Sequence, residues 1–168
     1  KDLISGFGWA LGAGGGILVG NDLGAGHLER AKTYGAWLCR IAIISGLIAG
    51  GIAVLMIPGV LAIVELNEQS AHYLVWMMVM CVYYIMGRSI NTTTIGGIFT
   101  AGGDTKFGMW CDGITMWVFI VPVGALCAFV FELPVLVVYF ILNLDEIIKL
   151  PAVYMHYKKY QWVRNITR

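Results

Sequence analysis

Five long apolar runs, separated by short polar hinges, dominate the sequence. A helix that crosses the hydrocarbon core of a bilayer needs about 20 consecutive residues that are mostly apolar. The runs cover about residues 3–19, 34–57, 70–99, 105–131 and 133–155, and each reaches or approaches that length. Only helices and closed barrels satisfy their backbone in lipid, and the runs lack the apolar–polar alternation of barrel strands. The pattern predicts an all-α, polytopic helical membrane protein with five transmembrane helices.

The composition excludes a water-soluble domain and several classes of function. Hydrophobic residues make up 59% and charged residues 12% of the 168 residues, whereas soluble domains carry about 25% charged residues. The net charge of +1 gives no basis for binding nucleic acid. The cysteines occur singly and the histidines share no helical face, so no metal site is expected. The sequence contains no Ser/His/Asp or HExxH arrangement, and we predict that the protein is not an enzyme.

Eight of the eleven basic residues fall on one side of the membrane when five spans are threaded. They are Arg30, Lys32, Lys106, Lys149, Lys158, Lys159, Arg164 and Arg168. The opposite hinges carry Glu65, Glu68 and Glu132, with Lys1 at the chain start. Because cytoplasmic loops are enriched in lysine and arginine, the basic tail 156–168 and the C-terminus are predicted to be cytoplasmic, in a multi-pass protein of the plasma membrane. The aromatic residues of the tail, including Trp162, are expected in the headgroup zone.

Two glycine-containing hinges connect predicted spans on the cytoplasmic side. Their residues are Gly20, Gly24 and Gly26 in the first hinge, and Gly102, Gly103 and Asp104 in the second. Glycine can supply the positive φ that ends a helix. Asp104 is expected to be the N-cap of the fourth span, where its carboxylate would accept from the first free amides. The many glycines of the first span predict close packing against a neighbouring helix.

Arg88 is the strongest pointer to a functional site in the sequence. A charge near the bilayer centre costs at least ~2.5–3.5 kcal/mol, so such a residue normally faces protein or a water-filled cavity and is paired. Counted from the second hinge, Arg88 and Asp112 differ in depth by about 6 Å, which an extended arginine can bridge. We hypothesise that they pair across the third and fourth spans. In the alternative, Asp112 lies shallow and hydrated, while Arg88 snorkels or pairs with a part of the protein outside this chain.

Three further residues are candidates for a substrate or ion pathway: Asn91, Thr92 and Trp117. The amide and the hydroxyl would line a polar path, and the indole would form part of its wall. Hydrogen bonding to the preceding turn, or packing between helices, is the ordinary role of such side chains. In the fifth span, Asp145 and Glu146 are expected to end a helix beside Lys149.

Three segments, taken in order, resemble one family of transporters. Residues 19–26 read VGNDLGAG and are followed by Ala31, and residues 102–107 read GGDTKF. The third pattern comprises Asp112, Trp117, Pro122, Pro134 and the WVRN motif at 162–165. In this order and spacing, the segments resemble the hinges and the C-terminal end of multidrug and toxic compound extrusion (MATE) transporters. The resemblance covers essentially the whole chain.

The resemblance implies a fold of twelve spans in two lobes, of which this chain would be the second-lobe fragment, spans eight to twelve. It implies an antiporter that expels drugs or metabolites in exchange for Na+ or H+, with no other cofactor. The implied partners are membrane lipids, the N-terminal lobe of the same protein and a small-molecule substrate. Arg88 and Asn91 stand where some relatives place an acidic cation ligand, so the resemblance assigns no ion-coupling residue.

Alternatives to the exporter reading remain open at this point. One is a lipid or oligosaccharide flippase of the same superfamily, for which a more cationic cavity than a single Arg88 provides would be expected. The other is a non-transporting membrane scaffold or the product of a truncated gene. Because the chain starts with Lys1 and shows no signal peptide before its first apolar helix, we expect a fragment of a longer protein.

Overall fold

The computed structural model describes residues 2–64 and 66–164, with the backbone alone for residues 2–5 and 7. The described residues form helices and no strand, which confirms the all-α prediction. The α-helices are α1 (Asp2–Gly24), α2 (Leu28–Leu55), α3 (Ile57–Ile63), α4 (Glu68–Asn91), α5 (Thr105–Ile114), α6 (Val121–Ala125), α7 (Val135–Leu142) and α8 (Asp145–Lys158). Three parts of the predicted charge pattern lie outside the described residues: Lys1, Glu65 and the end of the basic tail, 165–168.

Three helical segments of the described chain are long and apolar enough to cross a membrane. They are Leu28–Ile63, Glu68–Phe99 and Thr105–Val130. The second begins as α4 and continues through a π-helical stretch, Thr92–Phe99. α1 is 23 residues long. These segments establish a helical membrane protein, and the count of five spans stays a prediction.

The helix that carries the predicted second span begins before that span and is followed by a short second helix. α2 is one continuous helix from Leu28, so it begins about a turn and a half before the predicted start at residue 34. Near its other end, α3 starts at Ile57 and carries Pro58 in its first turn. Proline is tolerated there because the first amides of a helix have no partner within the helix.

The fourth segment passes Pro122 without a break in the helical path. Wide π-helical turns occupy Thr115–Ile120 and Leu126–Val130, and α6, which contains Pro122, lies between them. A proline inside a helix removes one backbone donor and crowds the preceding turn. The π-helical turns on both sides are the local distortion of the helix around this proline.

The predicted fifth span is discontinuous. α7 ends at Leu142 and α8 begins at Asp145. At the break, the Asn143 side chain donates to the carbonyl oxygen of Tyr139 at 2.7 Å and so satisfies one of the free acceptors at the end of α7. Asp145 and Glu146 therefore open a helix, and the prediction that they end one is wrong.

The glycines of α1 allow it to approach the π-helical end of α4 very closely. A Cβ atom at Gly97 would lie 2.6 Å from the carbonyl oxygen of Gly12, and one at Gly16 would lie 3.2 Å from that of Gly97. α1 also packs against α2, and α2 packs along α4. This arrangement confirms the close packing that the glycine-rich sequence predicts.

Both predicted hinges end their helices with the same backbone motif. Gly26 has φ +80° and Gly103 has φ +71°. In each hinge, the N–H of the residue after that glycine donates to the carbonyl oxygen five residues back at 2.8 Å, as in a Schellman cap. The first turn is shorter than predicted, because α1 continues through Gly20 to Gly24.

The Asp104 side chain binds a histidine and does not cap α5. Asp104 lies at the N-cap position, but its carboxylate makes no hydrogen bond to the first turn of that helix within the described chain. It lies 2.6 Å from Nε2 of His156 in α8. The His156 ring stacks on Phe107, with 3.8 Å between ring centroids. The predicted N-cap bond is therefore wrong, because the pairing with α8 takes its place.

The aromatic tail folds back into the helical bundle. Trp162 is fully buried, and a Cβ atom at Gly35 of α2 would lie 2.9 Å from its ring. Arg164 donates to the carbonyl oxygens of Gly102 and Gly103 at 2.9 and 2.8 Å. This ring is therefore a core residue that fixes the tail against the second hinge, and its predicted depth in the headgroup zone stays a prediction.

The contact between α1 and α4 yields a prediction for two adjacent glycines. Gly97→Ala should lower the free energy of unfolding by about 1–3 kcal/mol, since the new methyl group overlaps the α1 backbone. For a chain of this size, that corresponds to a fall of at least about 2 °C in the unfolding midpoint in detergent. Gly96→Ala is the matched control, because a Cβ atom there meets only a Thr92 methyl group at 4.0 Å. Equal midpoints for the two variants would contradict the packing.

Candidate functional site

A charged cavity of about 330 Å³ opens between α1, α4, α5 and α8. Its lining contains both signs of charge together with an amide, a hydroxyl and a few apolar side chains. The lining residues are Trp9, Arg88, Asn91, Thr92, Ile95, Gly96, Asp112, Met116, Asp145, Glu146 and Lys149. We call this space the charged cavity.

Lys149 is the centre of the charged cavity. Its Nζ lies 2.9 Å from a carboxylate oxygen of Asp112, 3.2 Å from Glu146 and 3.8 Å from Asp145. The Lys149 side chain is only 7% exposed. An ammonium so deeply buried is stable only with close opposite charges, and these three carboxylates, which we call the carboxylate cluster, supply them.

Arg88 and Asn91 hold Glu146 from the α4 side. An Arg88 Nη lies 4.0 Å from Oε1 of Glu146, and the guanidinium also donates to the Tyr84 hydroxyl. The Asn91 amide nitrogen donates to Oε2 of Glu146 at 2.9 Å and to the Glu146 carbonyl oxygen at 2.8 Å. The two oxygens of this buried carboxylate therefore serve different partners.

The structure gives Arg88 and Asp112 different ionic partners from the predicted ones. Arg88 faces Glu146, and Asp112 pairs with Lys149. The hypothesis of an Arg88–Asp112 pair is therefore wrong. Both residues line the same cavity, but α8 lies between them with charges of its own.

Local sequence explains why α8 can supply these charges. Asp145 and Glu146 occupy the first turn of α8, where carboxylates interact favourably with the positive end of the helix dipole. Lys149 follows three and four residues later, on the same face of the helix. A Cβ atom at Gly87 would lie 2.9 Å from the Cβ of Glu146, so only glycine lets α4 and α8 approach this closely.

The structure brings four of the five predicted pathway residues together and leaves one apart. Arg88, Asn91, Asp112 and Thr92 all line the charged cavity. Trp117 does not line it, and this side chain is 74% exposed on the outside of the bundle. The predicted hinge glycines and Asp104 are also absent from the lining, and they serve the turns described above.

Sequence reasoning missed the α8 residues as members of the site. The sequence predicts helix termination for Asp145 and Glu146, and for Lys149 a place among the basic residues of the cytoplasmic side. The available signal was an acid–acid–base set at i, i+1 and i+4 inside an otherwise apolar segment, a spacing that puts opposite charges on one helical face. Ionisable residues within a span are functional candidates by default.

The charged cavity is suited to bind a polar or charged molecule. Three carboxylates face two cations there, and Asp112 is the most exposed of the acids, with 55% of its side chain accessible against 13% for Asp145 and 8% for Glu146. Oδ1 of Asn91 and Oδ1 of Asp145 are buried with no donor in the described chain. Asp112 therefore offers the most accessible acceptor among the three acids.

The ion pairs in the charged cavity predict the outcome of two double-mutant cycles. The Asp112→Asn and Lys149→Met pair should show a coupling energy of about 1–3 kcal/mol in SDS-titration unfolding, because the two groups touch. The Asp112→Asn and Arg88→Met pair should show a smaller coupling, because Arg88 is linked to Asp112 only through Glu146 and Lys149. A larger coupling in the second cycle than in the first would restore the Arg88–Asp112 hypothesis.

Comparison with known proteins agrees with the resemblance noted in the sequence. A family model described as MatE matches residues 2–126, which is well over half of the chain. No curated protein and no solved structure matches the chain. The matched region includes α1 to α5 and both hinges, together with Arg88, Asn91 and Asp112 of the charged cavity. The chain is a membrane protein that belongs to the MATE family of transporters.

Proposed function

We propose that this chain forms the second lobe of a secondary-active exporter, as spans eight to twelve, and that the charged cavity is part of its substrate pathway. The exporter expels a small molecule in exchange for inward-moving Na+ or H+. It works in the plasma membrane with its C-terminus in the cytoplasm, together with an N-terminal lobe of the same protein. The family membership and the charged cavity support this proposal.

The observation that carries the proposal is the set of charges inside an otherwise apolar bundle. Burying a charge in a membrane protein is costly, and intramembrane ionisable residues are therefore candidates for substrate or ion pathways by default. Here five charged side chains converge on one cavity that is large enough for part of a small molecule. Asp112 turns its carboxylate toward that space, which suits a cationic substrate that donates hydrogen bonds.

The balance of charge favours an exporter of small molecules over a flippase. A flippase for lipid-linked sugars must accept an anionic phosphate headgroup, for which an excess of cations in the cavity would be expected. The charged cavity has an excess of carboxylates, because Arg88 and Lys149 face three acids. A scaffold without transport activity is also disfavoured, because neutral packing is usually at least as stable as a buried ion cluster.

The proposal is tested by transport in inverted membrane vesicles from cells that lack other efflux pumps. Vesicles that contain the native protein should accumulate ethidium when a Na+ or H+ gradient is imposed. Asp112→Asn should slow this uptake about tenfold or more, because removing a charge-assisted hydrogen bond costs roughly 1.5–3 kcal/mol and 1.4 kcal/mol corresponds to a factor of ten.

The matched control is Glu68→Gln, which neutralises an exposed carboxylate in the first turn of α4, away from the cavity lining. Its uptake should equal that of the native protein. Uptake that needs neither gradient, or equal uptake by the Asp112→Asn and Glu68→Gln variants at equal expression, would contradict the proposal.

A further inference from the structure

Lys149 occupies the position in the carboxylate cluster that a free cation would otherwise take. Its Nζ is within 4 Å of oxygens from all three acids, and these acids come from two helices, α5 and α8. A free monovalent cation in such a place would be held by the same oxygens. The ammonium is tethered to the chain, so it is present at every ion concentration.

The neighbouring contacts keep the Lys149 ammonium in place. Glu146 is fixed by two hydrogen bonds from Asn91 and by the nearby guanidinium of Arg88. Asp145 and Glu146 precede Lys149 by one helical turn, so all three groups move with α8. Asp112 alone belongs to another helix, and its 2.9 Å bond to Lys149 joins α5 to α8.

The cluster does not fit a bound metal ion while the ammonium is present. With Lys149 in place, the three acids lie around its ammonium and form no metal-ligand group within the described part of the chain. Na+ needs about six oxygen ligands at short distance, and the ammonium both separates the carboxylates and repels a second cation. At 4 Å, two like charges repel by about 4 kcal/mol even at an effective dielectric constant of 20.

We propose that Lys149 is a tethered counter-ion that makes the carboxylate cluster independent of Na+. The native cluster then binds no free monovalent cation, and any Na+ that drives transport acts elsewhere in the protein. The inference rests on the proposed function only in regarding the charged cavity as part of a transport pathway. Lys149 is a positioning residue in this role, because it holds Asp112 and α8 in register.

The test is the number of Na+ ions bound per polypeptide, measured by equilibrium binding of radioactive Na+ to the native protein purified in detergent. Lys149→Met removes the ammonium and leaves a pocket lined by three carboxylates. This variant should bind one more Na+ than the native protein. Its unfolding midpoint should also rise by at least about 3 °C when NaCl replaces choline chloride, beyond any rise in the native protein.

Two controls make the test specific to the cluster. Lys158→Met makes the same substitution at an exposed position in the last turn of α8 and should leave Na+ binding unchanged. Adding Asp112→Asn to Lys149→Met should remove the extra Na+. Lys149→Ala, which preserves helix propensity and leaves more space, gives the same readout if the methionine variant does not fold.

Three results would overturn the inference. The first is an equal number of bound Na+ ions in the native protein and in both Lys149 variants. The second is the loss of a bound Na+ ion when Asp112→Asn alone is made in the native protein, and the third is instability of both Lys149 variants that NaCl does not relieve. The transport assay is separate from this binding measurement. An extra Na+ ion in Lys149→Met, together with no gradient-driven ethidium uptake by the native protein, would support the counter-ion and reject the proposed export function.

Discussion

The ammonium of Lys149 and the three carboxylates around it are mutually dependent. Removing one partner of a buried ion pair costs several kcal/mol, because it leaves the other charge uncompensated in a low-dielectric surrounding. Lys149 and Glu146 are both more than nine-tenths buried, so neither can turn to water for compensation. The positions of α4, α5 and α8 around the cavity must therefore keep these groups within reach of one another.

Several irregular features of the fold are explained by this requirement. Because the helix breaks at 143–144, the first turn of α8, with its two acids, lies at the cavity. A continuous helix would have placed one of its middle turns there. Gly87 lets the α4 backbone approach Glu146, and Asn91 then fixes that carboxylate. On the other side of α4, the glycines of α1 pack against the π-helical stretch Thr92–Phe99. Close backbone contacts thus hold the helix that carries Arg88 from two directions.

The hinges and the tail close one end of the helical bundle by a different means. The two hinges end their helices through left-handed glycines, and the tail then covers the second hinge with a fully buried indole and an arginine that binds two carbonyl oxygens. Asp104 and His156 add an ionisable pair between α5 and α8 at this end. α5 and α8 are therefore joined twice, by Asp112–Lys149 in the cavity and by Asp104–His156 near the hinge.

The sequence was sufficient for the class of fold and for part of the site. Apolar runs of membrane length follow directly from composition, and the cost of burying a charge identified Arg88 and Asp112. The partners of these charges could not be predicted, because pairing depends on how α8 is placed after a break that hydropathy does not reveal. The sequence did not predict the core position of Trp162 for a related reason. An aromatic residue in a basic tail fits the headgroup zone equally well, and only the structure shows that Trp162 packs against Gly35 and Gly102.

The most direct test of a hydrated, charged pathway within this bundle compares two single cysteines in a background where Cys39, Cys81, Cys111 and Cys127 are replaced by alanine. Thr92→Cys lies in the charged cavity and Trp117→Cys lies on the exposed outer face of the bundle. In native membranes, we expect Thr92→Cys to face water and Trp117→Cys to face lipid. A charged, membrane-impermeant thiol reagent should therefore modify Thr92→Cys and leave Trp117→Cys unreacted, because only a thiol in contact with water ionises and reacts. Modification of Trp117→Cys with protection of Thr92→Cys would contradict the account.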